Sequence, residues 1–213
     1  MQHLTSLKTL LISECKEVDL FCDEDTQSVG VSPQITDLEI SNLRCLISLP
    51  EGIGNLAALQ NLGIYNLRCL ISFPEGIGNL TGLQNLGIHN LRCLISFPEG
   101  IGNLTALQDL EISNLRCLIS LPEGIGNLTA LQNLRISKLP CLISLPEGIG
   151  SLTSLERFEV RFCPNLTSLP SGMHRLSSLQ TLIIISFFGF IQSTVQKTER
   201  MPRKHGRLPK IAH

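Results

Sequence analysis

Five cysteines recur at intervals of 24 residues: Cys45, Cys69, Cys93, Cys117 and Cys141. A regular row of thiols raises metal binding and redox chemistry first. No C-x-x-C pair and no Cys/His zinc spacing accompanies the row. The expectation is therefore free, small, mostly packed thiols without metal. Arg44, Arg68, Arg92 and Arg116 form a second row, and Glu51, Glu75, Glu99, Glu123 and Glu147 a third. An arginine row can grip carboxylate or phosphate, but both rows read more simply as solvated turns. Gly52–Ala57 spells the GxGxxA of a dinucleotide loop. Such a loop needs a buried strand before it, a long helix after it and an acid about 20 residues on. Here the GIGNL run simply recurs at 76, 100 and 124, so no cofactor is expected. The acidic stretch with Asp19, Asp23, Glu24 and Asp25 lacks the ligand spacing of a calcium loop. Asn79, Asn103, Asn127 and Asn165 each begin an N-L-T sequon, which matters only in a secreted chain. No nucleophile–base pair and no GxxxxGK[ST] loop is present, so an enzyme is not expected.

All of these rows are by-products of one repeat, and the repeat tells which elements must position them. Six blocks of 24 residues run through 35–58, 59–82, 83–106, 107–130, 131–154 and 155–178. The expected organisation is a partial first repeat with the acidic insertion over 1–34, the six repeats over 35–178, an incomplete unit over 179–193 and a basic disordered tail over 194–213. Apolar residues occupy positions 1, 4, 6, 9, 12, 15, 19 and 22 of a block, as in Leu59, Leu62, Ile64, Leu67, Leu70, Phe73, Ile77 and Leu80. Positions 4 and 6 alternate with polar neighbours, which is the period of a half-buried strand. Pro74 at position 16 ends the extended segment. The EGIGNL that follows begins with an acid and holds two glycines, so it predicts a short helical or 3-10 turn rather than a long helix. One block cannot bury its apolar face alone; stacking makes each apolar column continuous. Identical connections make the strands parallel. The expected fold is an α/β solenoid with a parallel β-sheet on its concave face and short helical, 3-10 or extended turns on its convex face.

The differences between blocks point to a surface. The four blocks from 35 to 130 agree at 16 of 24 positions, and three of the eight variable ones are positions 3, 5 and 7. These are the strand positions that point away from the core. The candidate protein-binding residues are therefore Glu39, Ser41, Tyr65, His89, Glu111, Ser113, Arg135, Arg157, Glu159 and Arg161. The sheet face changes its chemistry while the scaffold repeats, which favours protein–protein recognition over drift on a solvent face.

Composition agrees with a repeat core made of similar aliphatic side chains, since the chain has one Tyr and no Trp. After residue 193 the tail carries six basic residues against Glu199, leaving eleven basic and seventeen acidic residues on the body. A nucleic-acid binder would carry its basic charge on the folded face instead. The longest apolar stretch, from Leu182 to Ile191, is too short to span a bilayer. The N-terminal fifteen residues have no secretory signal pattern.

The pattern LxxLxIxx(C/L)xxLxSLPxGIxxL resembles the leucine-rich-repeat domain of plant intracellular immune receptors of the nucleotide-binding type, the disease-resistance proteins. Its closest unit is LERFEVRFCPNLTSLPSGMHRL, with Cys163 at position 9, and LKTLLISEC places Cys15 in the same slot. The middle blocks carry Leu there, and no nucleotide-binding domain is present. The resemblance spans about residues 4–186. It implies a leucine-rich-repeat horseshoe, a cytoplasmic location, recognition of pathogen proteins in plant defence, and restraint of a parent receptor's nucleotide-binding domain as a second partner. An extracellular receptor-like ectodomain and a resistance-gene fragment without function are the alternatives. Leu4 sits at position 22 of a block whose strand is absent, and Phe187, Phe188 and Phe190 follow the last strand without an LPxxI segment. The chain is accordingly expected to be a piece of a longer solenoid, or to need a partner at its ends.

Overall fold

The computed structural model describes residues 6–15 and 34–185. Leu4, the acidic insertion, Phe187, Phe188, Phe190 and the basic tail lie outside the described residues, as does the expectation of disorder attached to that tail.

Eight five-residue strands form one sheet: β1 (Thr9–Ser13), β2 (Asp37–Ser41), β3 (Asn61–Tyr65), β4 (Asn85–His89), β5 (Asp109–Ser113), β6 (Asn133–Ser137), β7 (Arg157–Arg161) and β8 (Thr181–Ile185). They are parallel and lie side by side in chain order. The register repeats without a slip, so Leu62 faces Leu86 and Ile64 faces Ile88, and each block position becomes a column. The ladder continues past the strands: the amides of Gln84 and Asn85 both donate to the Gln60 carbonyl, at 2.8 and 2.9 Å.

A residue with positive φ closes each of β1 to β7. Asn42, Asn66, Asn90 and Asn114 at position 8 have φ between 55 and 58°. Asn tolerates this left-handed conformation better than most residues. The asparagine amides also chain together, Asn66 to Asn42 at 3.0 Å, Asn90 to Asn66 at 2.5 Å and Asn114 to Asn90 at 3.1 Å.

On the far side each block makes one 3-10 turn: Glu51–Asn55, Glu75–Asn79, Glu99–Asn103, Glu123–Asn127, Glu147–Ser151 and Ser171–Arg175. Proline precedes every one, in an extended conformation that its locked φ favours. In each, the position-22 amide donates to the position-19 carbonyl, as Leu80 does to Ile77 at 3.2 Å.

The core lies between the sheet and these turns and runs the length of the solenoid. Leu59, Ile64, Leu67 and Leu70 are fully buried, and all eight apolar positions of that block are buried. Phe73 and Phe97 at position 15 stack at 5.4 Å between centroids. At β8, Leu182 remains exposed although it occupies the same column as the buried Leu134 and Phe158.

Candidate functional site

The outward face of the sheet is built from positions 3, 5 and 7. Register places Glu39 beside Gly63, Gly87 beside Glu111, Glu111 beside Arg135 and Arg135 beside Glu159. In the position-7 column Ser41, Tyr65, His89, Ser113, Ser137 and Arg161 follow one another. The ten sequence-derived residues therefore share one face of β2 to β7, with Arg157 in the position-3 column.

The middle of this face is a shallow trough of about 560 Å³. Its floor is Gly63 and Gly87, whose missing side chains leave room for Tyr65. A Cβ on Gly63 would come within 2.5 Å of the Tyr65 ring, so the ring lies across that glycine. The Tyr65 and His89 rings stack at 5.1 Å with an 18° interplanar angle. His89 Nδ1 is 2.6 Å from the Ser113 hydroxyl and 3.9 Å from a Glu111 carboxylate oxygen. Burial holds the imidazole below its usual 6.5, and Glu111 pulls in the opposite direction. Burial raises the Tyr65 hydroxyl, and the Glu39 and Glu111 charges add to that.

Acids flank the glycine floor on both sides. Asp37 accepts from Thr36 Oγ1 at 2.6 Å and Asn61 Nδ2 at 2.5 Å, and these bonds hold its carboxyl below the usual value. On the other side Asp109 and Glu111 lie 3.9 and 3.8 Å from Arg135 Nη1. Further along, Glu159 accepts from Arg157 Nε and from Arg161 Nε, the latter at 2.8 Å. Burial pushes its carboxyl up, but the two guanidinium bonds and charges outweigh that and hold it low. At positions 3, 5 and 7 the face thus carries acids and no Lys or Arg from β2 to β5, and is net basic over β6 and β7.

Two of the ten residues differ from expectation. Ser41 and Glu159 lie on the outward face but are buried, each only 6% exposed. Ser41 donates to Ser13 Oγ at 3.1 Å, and Glu159 is covered by the two arginines that bracket it on its own strand. Both therefore organise the surface rather than offer a side chain to solvent.

Two rows also require correction. The cysteines at position 11 are exposed, not packed. Position 12 is the buried Leu, as in Leu70 and Leu94; position 11 lies in the turn or bend just before it and position 13 follows it, and both face outward. Ile47, Ile71, Ile95, Ile119 and Ile143 at position 13 are accordingly exposed, 45–60%. The glutamates at position 17 are exposed but are not idle. The carboxylates of Glu51, Glu99 and Glu123 accept from the position-18 amides of Gly76, Gly124 and Gly148 in the next block at 3.0–3.1 Å. Glu147 accepts instead from the position-17 amide and hydroxyl of Ser171, and the hydroxyl bond lowers the carboxyl most. Glu51, Glu99, Glu123 and Glu147 thus each tie one turn to the next. The arginines of position 10 are exposed, as a solvated row would be.

Among the described residues, no group of three or more His, Cys, Asp or Glu is arranged to hold a metal ion, and no helix is long and apolar enough to cross a membrane. The asparagine ladder was missed from sequence; its signal is the Asn at position 8 of four successive blocks, just before a core leucine.

No protein-family model and no curated protein matches the chain. Solved structures do. A leucine-rich-repeat protein of Leptospira interrogans is 28% identical with a TM-score of 0.61, over 85% of this chain and 50% of that one. Internalin C2 of Listeria monocytogenes is 21% identical with a TM-score of 0.61, over 86% of this chain and 73% of that one. The leucine-rich-repeat ectodomain of the Arabidopsis thaliana membrane receptor kinase GASSHO1/SCHENGEN3 is 24% identical with a TM-score of 0.51, over 72% of this chain and 21% of that one. The chain spans half the length of the Leptospira protein. One parallel strand and one 3-10 turn per 24-residue block, stacked in chain order and matched by these structures, make the chain a leucine-rich-repeat solenoid.

Proposed function

We propose that the chain is a protein-recognition module whose partner docks on the outward face of β2 to β7, that it acts in plant defence in the cytoplasm, and that it is not an enzyme. The observation that carries the docking reading is the trough: an aromatic pair on a glycine floor, between acids, in a face whose chemistry varies while its scaffold repeats. Tyr65 offers a flat, amphipathic surface of the kind that anchors interfaces. The charge split asks for a partner segment with basic side chains over β2 to β5 and acidic ones over β6 and β7. The immune-receptor setting rests on the repeat consensus, and there the occupant is a pathogen protein or the parent receptor's nucleotide-binding domain.

The test places a photo-crosslinking residue at Tyr65 or, on the turn side, at Thr105, and exposes the chain to plant cytosol. Crosslinks from Tyr65 but not Thr105, abolished by Arg135→Glu and kept by Arg116→Glu, support the reading. Equal crosslinking from both sites, or equal sensitivity to both reversals, refutes it.

A second reading, an extracellular ectodomain, is favoured by one observation: all four sequon asparagines are exposed. Expression through a secretory pathway followed by intact-mass measurement separates the two. Glycans at Asn79, Asn103 and Asn127 support the second reading, and unmodified protein supports the first.

A further inference from the structure

We propose that the exposed row Cys45, Cys69, Cys93, Cys117 and Cys141 is a modification site at which a peroxide oxidises neighbouring thiols in pairs to disulfides. All five thiols are free and exposed. Recognition on the sheet face makes no use of them, so the proposal does not depend on that reading.

Geometry supplies the pairing. Position 11 lies between two points where successive blocks are hydrogen-bonded backbone to backbone. On one side, the Asn66 amide donates to the His89 carbonyl and that of Asn90 to Ser113, both at 3.0 Å. On the other, Ile71 donates to Ile47 at 2.9 Å, Ile95 to Ile71 at 3.3 Å and Ile143 to Ile119 at 3.1 Å. Ser48 and Ser72 at position 14 form a parallel bridge. Cys45 and Cys69, Cys69 and Cys93, and Cys117 and Cys141 are thus bracketed on both sides, and Cys93 and Cys117 on the sheet side, which holds successive cysteines in register at about the inter-strand spacing, roughly 4.8 Å between Cα atoms. That lies inside the range of about 4.4–6.8 Å that a disulfide spans. Cysteines two blocks apart are about twice as far and lie outside it.

The chemistry balances. One sulfur attacks a peroxide oxygen, the O–O bond breaks, and a sulfenic acid and one water result. The neighbouring sulfur attacks the sulfenic sulfur, the S–S bond forms and a second water leaves. Two thiols lose two electrons and two protons, and hydrogen peroxide is reduced to two waters.

Nearest-neighbour pairing in a row of five has an arithmetic signature. At most two disulfides form, and one thiol remains. Removing Cys93 leaves two adjacent pairs. Removing Cys69 or Cys117 strands one end thiol and leaves a single disulfide. The experiment uses the full chain carrying Cys15→Ser and Cys22→Ser, because Cys15 and Cys45 line the same surface cleft; Cys163 is buried. Dilute protein receives a small excess of hydrogen peroxide, is denatured and alkylated, and is weighed. Trypsin then releases a peptide for each cysteine, since Arg44, Arg68, Arg92 and Arg116 immediately precede the first four.

The expected counts are two disulfides in the parent, two in Cys93→Ser, and one in each of Cys69→Ser and Cys117→Ser, always between consecutive row members. Circular dichroism confirms that each variant is folded, and the two even-position variants check one another. Equal counts in all four proteins, pairs that skip a block, disulfides only between molecules, or oxidation to sulfinic acid without disulfides overturns the proposal.

Discussion

Gly102 sits at position 20 of its block, on the convex side, with its back to the next turn. A Cβ there would lie 2.4 Å from the Gly124 carbonyl oxygen, 2.8 Å from its carbon and 3.0 Å from its Cα. These are backbone atoms, so no flexible side chain can swing away. Nor does backbone conformation explain the glycine, because no glycine among the described residues has positive φ. Gly102→Ala must therefore push two turns apart by about 1 Å, and a gap of that size forfeits about a quarter to a half of each dispersion contact it opens. It also stretches the 3.1 Å bond from the Gly124 amide to Glu99. Overpacking of this kind costs about 1–3 kcal/mol, while the intrinsic preference of Ala over Gly returns about 0.5–1 kcal/mol. The expected net loss is about 1.3 kcal/mol. Gly82→Ala is the control: its Cβ meets nothing nearer than the Ala57 carbonyl oxygen at 3.4 Å, and neighbouring blocks already carry Ala at that position. Urea unfolding followed by far-UV circular dichroism reads both. With a slope of about 2 kcal/mol/M, Gly102→Ala should lower the midpoint by about 0.6 M and Gly82→Ala should leave it in place or raise it slightly. A Gly102→Ala midpoint equal to that of Gly82→Ala would refute the claim that glycine is there for close stacking.

Asn90→Ala should cost about 2 kcal/mol by urea unfolding, through an unfavourable φ and the loss of its two ladder bonds. Asn90→Gly should recover the backbone part only, and equal losses in the two variants would dismiss the left-handed conformation as a factor. Glu159 has a lowered carboxyl, so its stabilisation is fully present above about 4.5 and is lost as pH falls through its lower folded value. Glu159→Gln should therefore cost about 1–2 kcal/mol at pH 7 and little at pH 3, from the loss of bonds to charged groups; a penalty that grows on acidification contradicts the arginine fork. The His89 imidazole should titrate by NMR below 6.5, and Glu111→Gln should lower the midpoint further, because Glu111 is the group that raises it. A rise on that substitution would show that burial is not what depresses His89.

Much of the fold was legible because the block repeats its apolar pattern six times, and a period of 24 with alternation at positions 4 and 6 admits few architectures. Pro at position 16 marked the end of the extended segment, and two glycines in EGIGN argued against a long helix. The same glycines were read only as poor helix formers, whereas they let Gly102 and Gly124 meet. That role involves a neighbouring block, and a single block shows nothing of it. The glutamate row sits on exposed turns as expected, but its tie to the neighbouring turn was not legible for the same reason: the hydrogen bond crosses to the next block. The exposure of the thiol row was not legible, since the cysteines sit in a turn or bend just before a core leucine, where strand alternation does not decide which way a side chain faces. On the sheet face, alternation identified the side but not the exposure. Glu159 is covered because Arg157 and Arg161 stand two residues before and after it on the same strand, where side chains share a face.

The tolerance of each position follows from what stacks against it. Position 20 is glycine wherever another described turn follows, and His174 occupies it in the last one, where no described turn packs on top. Position 8 is Asn while the amide ladder runs and becomes Lys138 and Phe162 beyond it, with φ still 55° in both. Constraint is thus imposed by the adjacent block as well as by the residue's own backbone. The sheet face escapes it at positions 5 and 7, where a side chain can change from Glu39 to Gly63 or from Tyr65 to His89 without disturbing a column of the core. A solenoid with this division of labour can alter what it binds one rung at a time. The glycines at 63 and 87 show how: two deletions of side-chain bulk on adjacent rungs open the trough, and the two aromatic side chains on those same strands cover part of it.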